Sequence, residues 1–200
     1  MEKGILFQIP FMVHQVSEWK NVKDEFLSSI DFNDPDCMND DMYTDFIKYY
    51  AQLKKPPYHN DLLNLLDEPI QFFCENYPST NAYYESQDQA LGNPESRVPI
   101  EVYSSWCQKY SAGQMHPLHN HSIYGWSAVF YAQLDKSHEA TNFFSPFADP
   151  WNGFPEEITP AMNEGDIIFF PSLLMHQSLP HKGTKDRIIF SFNLNLSLTR

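Results

Sequence analysis

Basic residues are scarce in this chain, 13 Lys and Arg against 26 Asp and Glu for a formal charge of −13. A general nucleic-acid binder is thereby excluded, because neutralising phosphates needs a surplus of Lys and Arg; a local basic groove stays open. Cysteine is nearly absent. Cys37, Cys74 and Cys107 are odd in number and far apart, which suits neither a disulfide framework nor a Cys-rich zinc site and points to a reducing compartment. No apolar run approaches the roughly 20 residues of a membrane span, and no apolar stretch with a basic flank opens the chain. The expectation is a soluble cytoplasmic protein without a targeting segment. Glycine is also sparse, with 7 against 15 Pro, 16 Phe, 11 Tyr and 4 Trp. That balance suits aromatic strands joined by Pro-stiffened loops better than a helical bundle.

Two hundred residues fit one domain, with an N-terminal edge strand and supporting helices over 1–99 and a strand-rich core over 100–198. Gly4 to Val13 is β-branched and aromatic with Pro10 inside it, an edge-strand pattern. A helix is predicted after Ser17, its N-cap, because Trp19, Val22, Phe26 and Ile30 recur every three to four residues. Asp31 to Asp45 is acidic but lacks the ordered ligand spacing of a calcium loop, so it reads as a solvated loop. A short helix over Met42 to Leu53 is stopped by Pro56-Pro57, and a second over Asn60 to Tyr77 carries an apolar stripe broken at Pro69. Pro78 to Pro99 reads as a linker or loop. Strands are predicted over Ile100 to Tyr110, Trp126 to Leu134, Asp166 to Phe170 and Arg187 to Leu198. Between Asp135 and Glu164, prolines alternate with Phe143, Phe144, Phe147, Trp151 and Phe154. This segment reads as a long loop with its own aromatic packing, either a patch on the core or a substrate lid.

Three of the eight histidines fall within Met115 to His121. On a strand, period-two geometry would point His119 and His121 to one face, where neutral imidazoles share a metal. Two ligands do not make a site, and a surface histidine cluster stays open on spacing alone. His176, just past the apolar strand ending at Pro171, supplies a third. Arg187 opens the last strand, whose even positions (Ile188, Phe190, Phe192, Leu194) are oily and whose odd ones (Arg187, Ser191, Asn193) are polar, apart from Ile189. In a barrel that polar face would line a site, and a charged fork beside a metal is what a carboxylate co-substrate requires. His138 and His181 read as solvent histidines, and Trp106 and Trp126 as packing.

The order Tyr110, Gly113-Gln114, His119, His121, Gly165-Asp166, His176 and Arg187 resembles the iron(II)- and 2-oxoglutarate-dependent oxygenases of prolyl-4-hydroxylase type. Ser127-Ala128-Val129-Phe130-Tyr131 and Arg187 to Asn193 are similar to motifs of a bacterial and viral branch with His-x-His. The likeness covers roughly residues 100 to 196. It implies a mainly β, double-stranded β-helix (jelly-roll) core and a dioxygenase, or hydroxylase, that uses Fe(II), 2-oxoglutarate and O2. It further implies His119, His121 and His176 at the metal and Arg187 on the far carboxylate of 2-oxoglutarate, helped by Tyr110 and by Ser191 or Asn193. His121 stands where the family carries a carboxylate, so the facial triad becomes three histidines or two plus water. His116 is a reserve ligand or a donor to the metal's surroundings. Two rivals remain. One is a three-histidine cupin without 2-oxoglutarate, from the Gly113 and Gly165 motifs; the other is a non-catalytic binding module on the same scaffold. The substrate expected is a small molecule or a peptide.

Overall fold

The computed structural model describes residues 8–39, 42–76, 100–123, 125–134 and 139–196. In chain order its elements are β1 (Met12–Gln15), α1 (Trp19–Ser28), β2 (Tyr43–Thr44), α2 (Phe46–Tyr49), α3 (His59–Leu65), α4 (Asp67–Asn76), β3 (Ile100–Tyr110), β4 (His116–His119), β5 (Trp126–Gln133), β6 (Asn142–Ala148), β7 (Pro155–Ile158), β8 (Asp166–Pro171), β9 (His176–Ser178) and β10 (Arg187–Leu196). They form two antiparallel sheets, one ordered β1-β8-β5-β10-β3-β2 and one β4-β9-β6-β7. This is the double-stranded β-helix that the family resemblance implied.

Alternation in β10 sets the layers. Ile188, Phe190, Phe192 and Leu194 pack in one apolar cluster with Trp19, Leu62, Leu66 and Phe73 of the helices. Ile189, on the other face, joins Tyr110, Val129, Tyr131, Ile168 and Phe170 in a second cluster inside the barrel. A slip of one residue would exchange these faces, so the pattern pins the register.

The helices form where their apolar stripes meet this sheet. Trp19, fully buried, donates Nε1–H to Ala132 O at 2.9 Å and meets Phe130 edge-on. Gly165 opens β8 at φ +89, and a Cβ there would come within 3.4 Å of Trp19. Glycine therefore permits both the turn and the close approach. Glu18, rather than Ser17, precedes the first helical residue, with no side-chain cap. The helix expected over Asn60 to Tyr77 divides at Leu66, and Pro69 falls in the first turn of α4, where its missing N–H costs nothing.

Four further expectations change on contact with the structure. β1 begins at Met12 and does take a sheet edge, after Gln8 to Phe11, which are outside any strand; Gly4 to Phe7 lie outside the described residues. The segment from Asp135 to Glu164 is no simple loop: β6 pairs with both β9 and β7. Nor does it pack all its own aromatics, since Trp151 is 95% and Phe154 71% exposed. His181 is buried, its Nε2 on Lys185 O and its backbone N–H on Gln114 O, so it tethers two loops rather than facing solvent. Pro78 to Pro99 and His138 lie outside the described residues. No helix among the described residues is long and apolar enough to cross a membrane, and all three cysteines are free thiols.

Candidate metal centre

His119 and His176 are register partners across β4 and β9, which brings their side chains side by side on one face of the smaller sheet. His121 joins them by another route. β4 ends at His119, so His121 is not two residues along a strand but just past its end. There its backbone N–H bonds Ser172 O at 3.0 Å, and Ser172 N–H in turn bonds Gly125 O at 3.1 Å. One potential ligand atom from each of the three lies within 4.8 Å of the others.

Which ring nitrogen faces the others is decided by what holds the opposite one. His119 Nδ1 lies 2.7 Å from Pro117 O, and His176 Nδ1 lies 2.8 Å from Leu174 O. His121 Nδ1 lies 2.8 Å from Asn193 Oδ1, with Ser127 Oγ also at 2.8 Å. Carbonyl and amide oxygens only accept, so each Nδ1 carries the proton and each Nε2 keeps its lone pair. Such acceptors fix the tautomer and orientation of each ring, the arrangement an imidazole needs if it is to ligate a metal. Charge agrees. Burial pushes the His119 pKa down and takes His121 to about 4, against a rise from its Asn193 bond; burial lowers His176 as well, with His119 and His121 adding to it. The three rings are thus neutral at pH 7 and ready to ligate.

A second feature lies farther inside the barrel. Arg187 is 2% exposed, yet no carboxylate among the described residues lies within salt-bridge distance of it. Its Nη1 donates to Glu139 O at 2.7 Å, its Nη2 donates to Ser178 Oγ, and its Nε has no partner. The guanidinium lies 4.7 Å over the Tyr110 ring, and Tyr110 Oη is likewise buried without a partner. Burial raises the Tyr110 phenol, and Arg187 and the nearby Ser178 hydroxyl oppose that rise, so it is an O–H donor. An unpaired buried cation beside an unused donor is costly unless an anion joins them. Ser178 lies two residues along β9 from His176, so the Arg187 fork is offset from the imidazoles by roughly 7 Å along the strand, a span suited to a five-carbon diacid.

The remaining residues singled out from sequence have other neighbours. Asn193 holds His121, and Ser191 Oγ donates to Gln108 Oε1 at 3.0 Å; neither bonds Arg187. Trp106 packs as expected, against Phe46 at 5.1 Å between ring centroids, but its ring also lies 5.2 Å from that of His121 and lines a cleft of about 430 Å³ beside the histidines. Trp126 packs on Phe73. Sequence reasoning gave no role to Ser127, Ser172, Ser178 or Gln108. Gln108 shares the parity of Trp106 and Tyr110 on β3, and Ser127 opens the Ser127-to-Tyr131 motif, two signals that were present; Ser172 and Ser178 carried none.

Residues 104–193 match the model of a family described as putative 2OG-Fe(II) oxygenase. No curated protein matches the chain. Among solved structures, HygX from Streptomyces hygroscopicus with nickel, 2-oxoglutarate and hygromycin B bound aligns at 12% identity over 95% of this chain and 84% of its own, with a TM-score of 0.55. The viral collagen prolyl hydroxylase vCPH of Paramecium Bursaria Chlorella virus-1, in its 2OG complex, aligns at 11% identity over 92% of this chain and 94% of its own, with a TM-score of 0.51. A 2OG-Fe(II) oxygenase-family oxidoreductase from Burkholderia pseudomallei aligns at 12% identity over 51% of this chain, with a TM-score of 0.38, and the aligned part spans 48% of that protein's length. At such identities the structural likeness shows the fold.

Proposed function

We propose that this chain is an oxidoreductase of the 2OG-Fe(II) oxygenase superfamily and that it hydroxylates a C–H bond of a small-molecule or peptide substrate. On this reading His119, His121 and His176 hold iron(II), and Arg187 with Tyr110 holds the far carboxylate of 2-oxoglutarate. One observation carries it above the others: a buried guanidinium without a carboxylate partner among the described residues, offset by two residues of β9 from three converging Nε2 lone pairs.

The residues fit the groups proposed. Three neutral imidazoles leave a divalent ion its full charge, where a facial triad with a carboxylate would remove one unit. A dianionic chelator is favoured by that surplus, and the Arg187 fork favours its second acid. When bound, iron(II) with 2-oxoglutarate supplies the oxidising power, consuming O2 and releasing succinate and CO2. The chain does the rest. Asn193, Pro117 and Leu174 keep the three rings in one tautomer, Tyr110 donates its O–H to the acid, and Phe143 and Phe170, both in ring contact with His176, keep water from that side. A reducing cytoplasm is the compartment proposed, in keeping with three free thiols.

The all-histidine ligand set also supports a second reading, a cupin-type metalloenzyme that does without 2-oxoglutarate. Such an enzyme has no use for an unpaired Arg187 in its interior. Incubation with iron(II), ascorbate and 2-oxoglutarate, with and without candidate substrates, is expected to yield succinate. Its complete absence, with iron shown to be bound, overturns the oxygenase reading in favour of the cupin.

A further inference from the structure

The cleft beside the three histidines has a wall and a rim of different chemistry. Phe46 and Tyr50 stack at 4.6 Å and 24°, Trp106 meets Phe46 edge-on, and Trp106 lies against His121. An aromatic surface therefore runs unbroken from the cleft mouth to a ring of the metal cluster. Ile47, Met42, Thr44, Asn39 and Asn120 share the lining with Gln108, Asn193 and the histidines, and no carboxylate, Lys or Arg is among the described residues there. Among these described residues a charged substituent held in the cleft would lose water and meet no counter-ion.

His116, in the same lining, has the opposite tautomer to its three neighbours. Its Nδ1 lies 3.0 Å from Gln108 Nε2. The orientation of the Gln108 amide is set on both sides: Nε2 also faces Met42 Sδ at 3.6 Å, a weak acceptor only, while Oε1 accepts from Ser191. Gln108 therefore donates to His116 Nδ1, and the His116 proton sits on Nε2. That N–H has no acceptor among the described residues. His116 also stands outside the group of three whose ligand atoms converge, so it is a donor rather than a fourth ligand.

We propose that the cleft is a binding site for an uncharged, ring-bearing molecule that stacks on Phe46, Tyr50 and Trp106 and accepts a hydrogen bond from His116 Nε2–H through a carbonyl or hydroxyl oxygen. Its place as the oxygenase's substrate site rests on the function proposed above; its geometry does not. His116 is a positioning residue for that substrate.

The test uses the full chain without added metal or 2-oxoglutarate, so its failure and that of the oxygenase reading are separate results. Long-range ¹H–¹⁵N NMR of the imidazoles is expected to show His116 protonated at Nε2 and His119, His121 and His176 at Nδ1. Titration with benzamide, benzoate and benzylamine, followed at the Trp106 indole and His116 Nε2 resonances, is expected to rank benzamide first by about tenfold. His116→Phe lowers the benzamide affinity about fivefold and Tyr50→Ala about threefold, whereas His116→Gln, which keeps an N–H donor, recovers part of the first loss. The proposal is overturned if His116 is protonated at Nδ1, if benzoate or benzylamine moves these resonances at concentrations as low as benzamide does, or if none of the three moves them.

Discussion

The two faces of β10 do different work with the same backbone. The helix-facing side chains (Ile188, Phe190, Phe192 and Leu194) sit in a cluster with Trp19, Leu62 and Phe73 and have no polar atom to satisfy. The interior-facing ones include Arg187, Ser191 and Asn193, all buried, and each needs a particular partner. Stability is concentrated on the first face and chemistry on the second. Burying an arginine with an empty Nε adds nothing to folding, so its presence inside the barrel calls for a ligand.

Truncation on the helix side has the largest expected effect. Phe190→Ala should cost about 3–5 kcal/mol, read by urea denaturation, because the ring is fully buried against Phe26, Tyr58 and Phe130. A loss below about 1 kcal/mol would break the division between the two faces. Arg187→Met is the mirror image. It should weaken 2-oxoglutarate binding at least about a hundredfold, by removing one partner of a buried ion pair, while folding stability stays level or rises. Calorimetry and denaturation on the same sample give both numbers, and a large drop in stability would show that Arg187 serves the fold.

Asn193→Ala sharpens the interior side further. Because Ser127 Oγ also lies 2.8 Å from His121 Nδ1, the sharper variant is Asn193→Ala with Ser127→Ala: with both partners gone, His121 should bind iron(II) or a zinc(II) surrogate roughly 10- to 100-fold more weakly, measured by competition with a chelator. Unchanged affinity in the double variant would mean that His121 is not a ligand.

The smallest effect is on pH dependence. Above pH 6.5 the site imidazoles are neutral in both folded and unfolded chains. As the pH falls toward about 4, the unfolded chain takes up protons that burial denies to His121 in the folded one. Metal-free stability therefore falls across that window, by at most about 1.4 kcal/mol per pH unit for each such histidine. Asp45 works against this. Burial raises its carboxyl to about 6, against the hydrogen bonds from Tyr58 O–H and Cys107 N–H, which lower it, so it is protonated first in the folded chain and stabilises it as the pH falls from about 6 toward 3.8. Asp45→Asn should consequently steepen the acid-side loss in thermal melts; a shallower curve would contradict the assignment.

Most of the barrel was legible in sequence because period-two alternation reports burial directly. β3, β5, β8 and β10 stand within a residue or two of where the pattern places them. Tertiary context hid the rest. The prolines between Asp135 and Glu164 suggested a loop, yet Pro155 opens the edge strand β7 and Pro146 falls in the register shift between Phe144 and Ala148 of β6, two places where a ladder donor is dispensable. The histidines were found, but the strand geometry expected to unite His119 with His121 instead unites His119 with His176, from a different strand. Asn193 was visible as an inward polar residue, while its contact with His121 depends on a loop that only the folded chain brings across. Ser178 had no sequence signal, since its contact with Arg187 joins the two sheets.

The central claim is that three neutral imidazoles and one unpaired arginine make a single site for a metal-chelating diacid. Anaerobic titration of the iron(II)-loaded chain with 2-oxoglutarate, followed by visible absorption, tests it most directly. The account predicts a weak charge-transfer band that saturates with 2-oxoglutarate, is absent with succinate, and requires at least about a hundredfold more 2-oxoglutarate in Arg187→Met. No band in the iron-loaded protein, or a band that saturates equally well without Arg187, would contradict it.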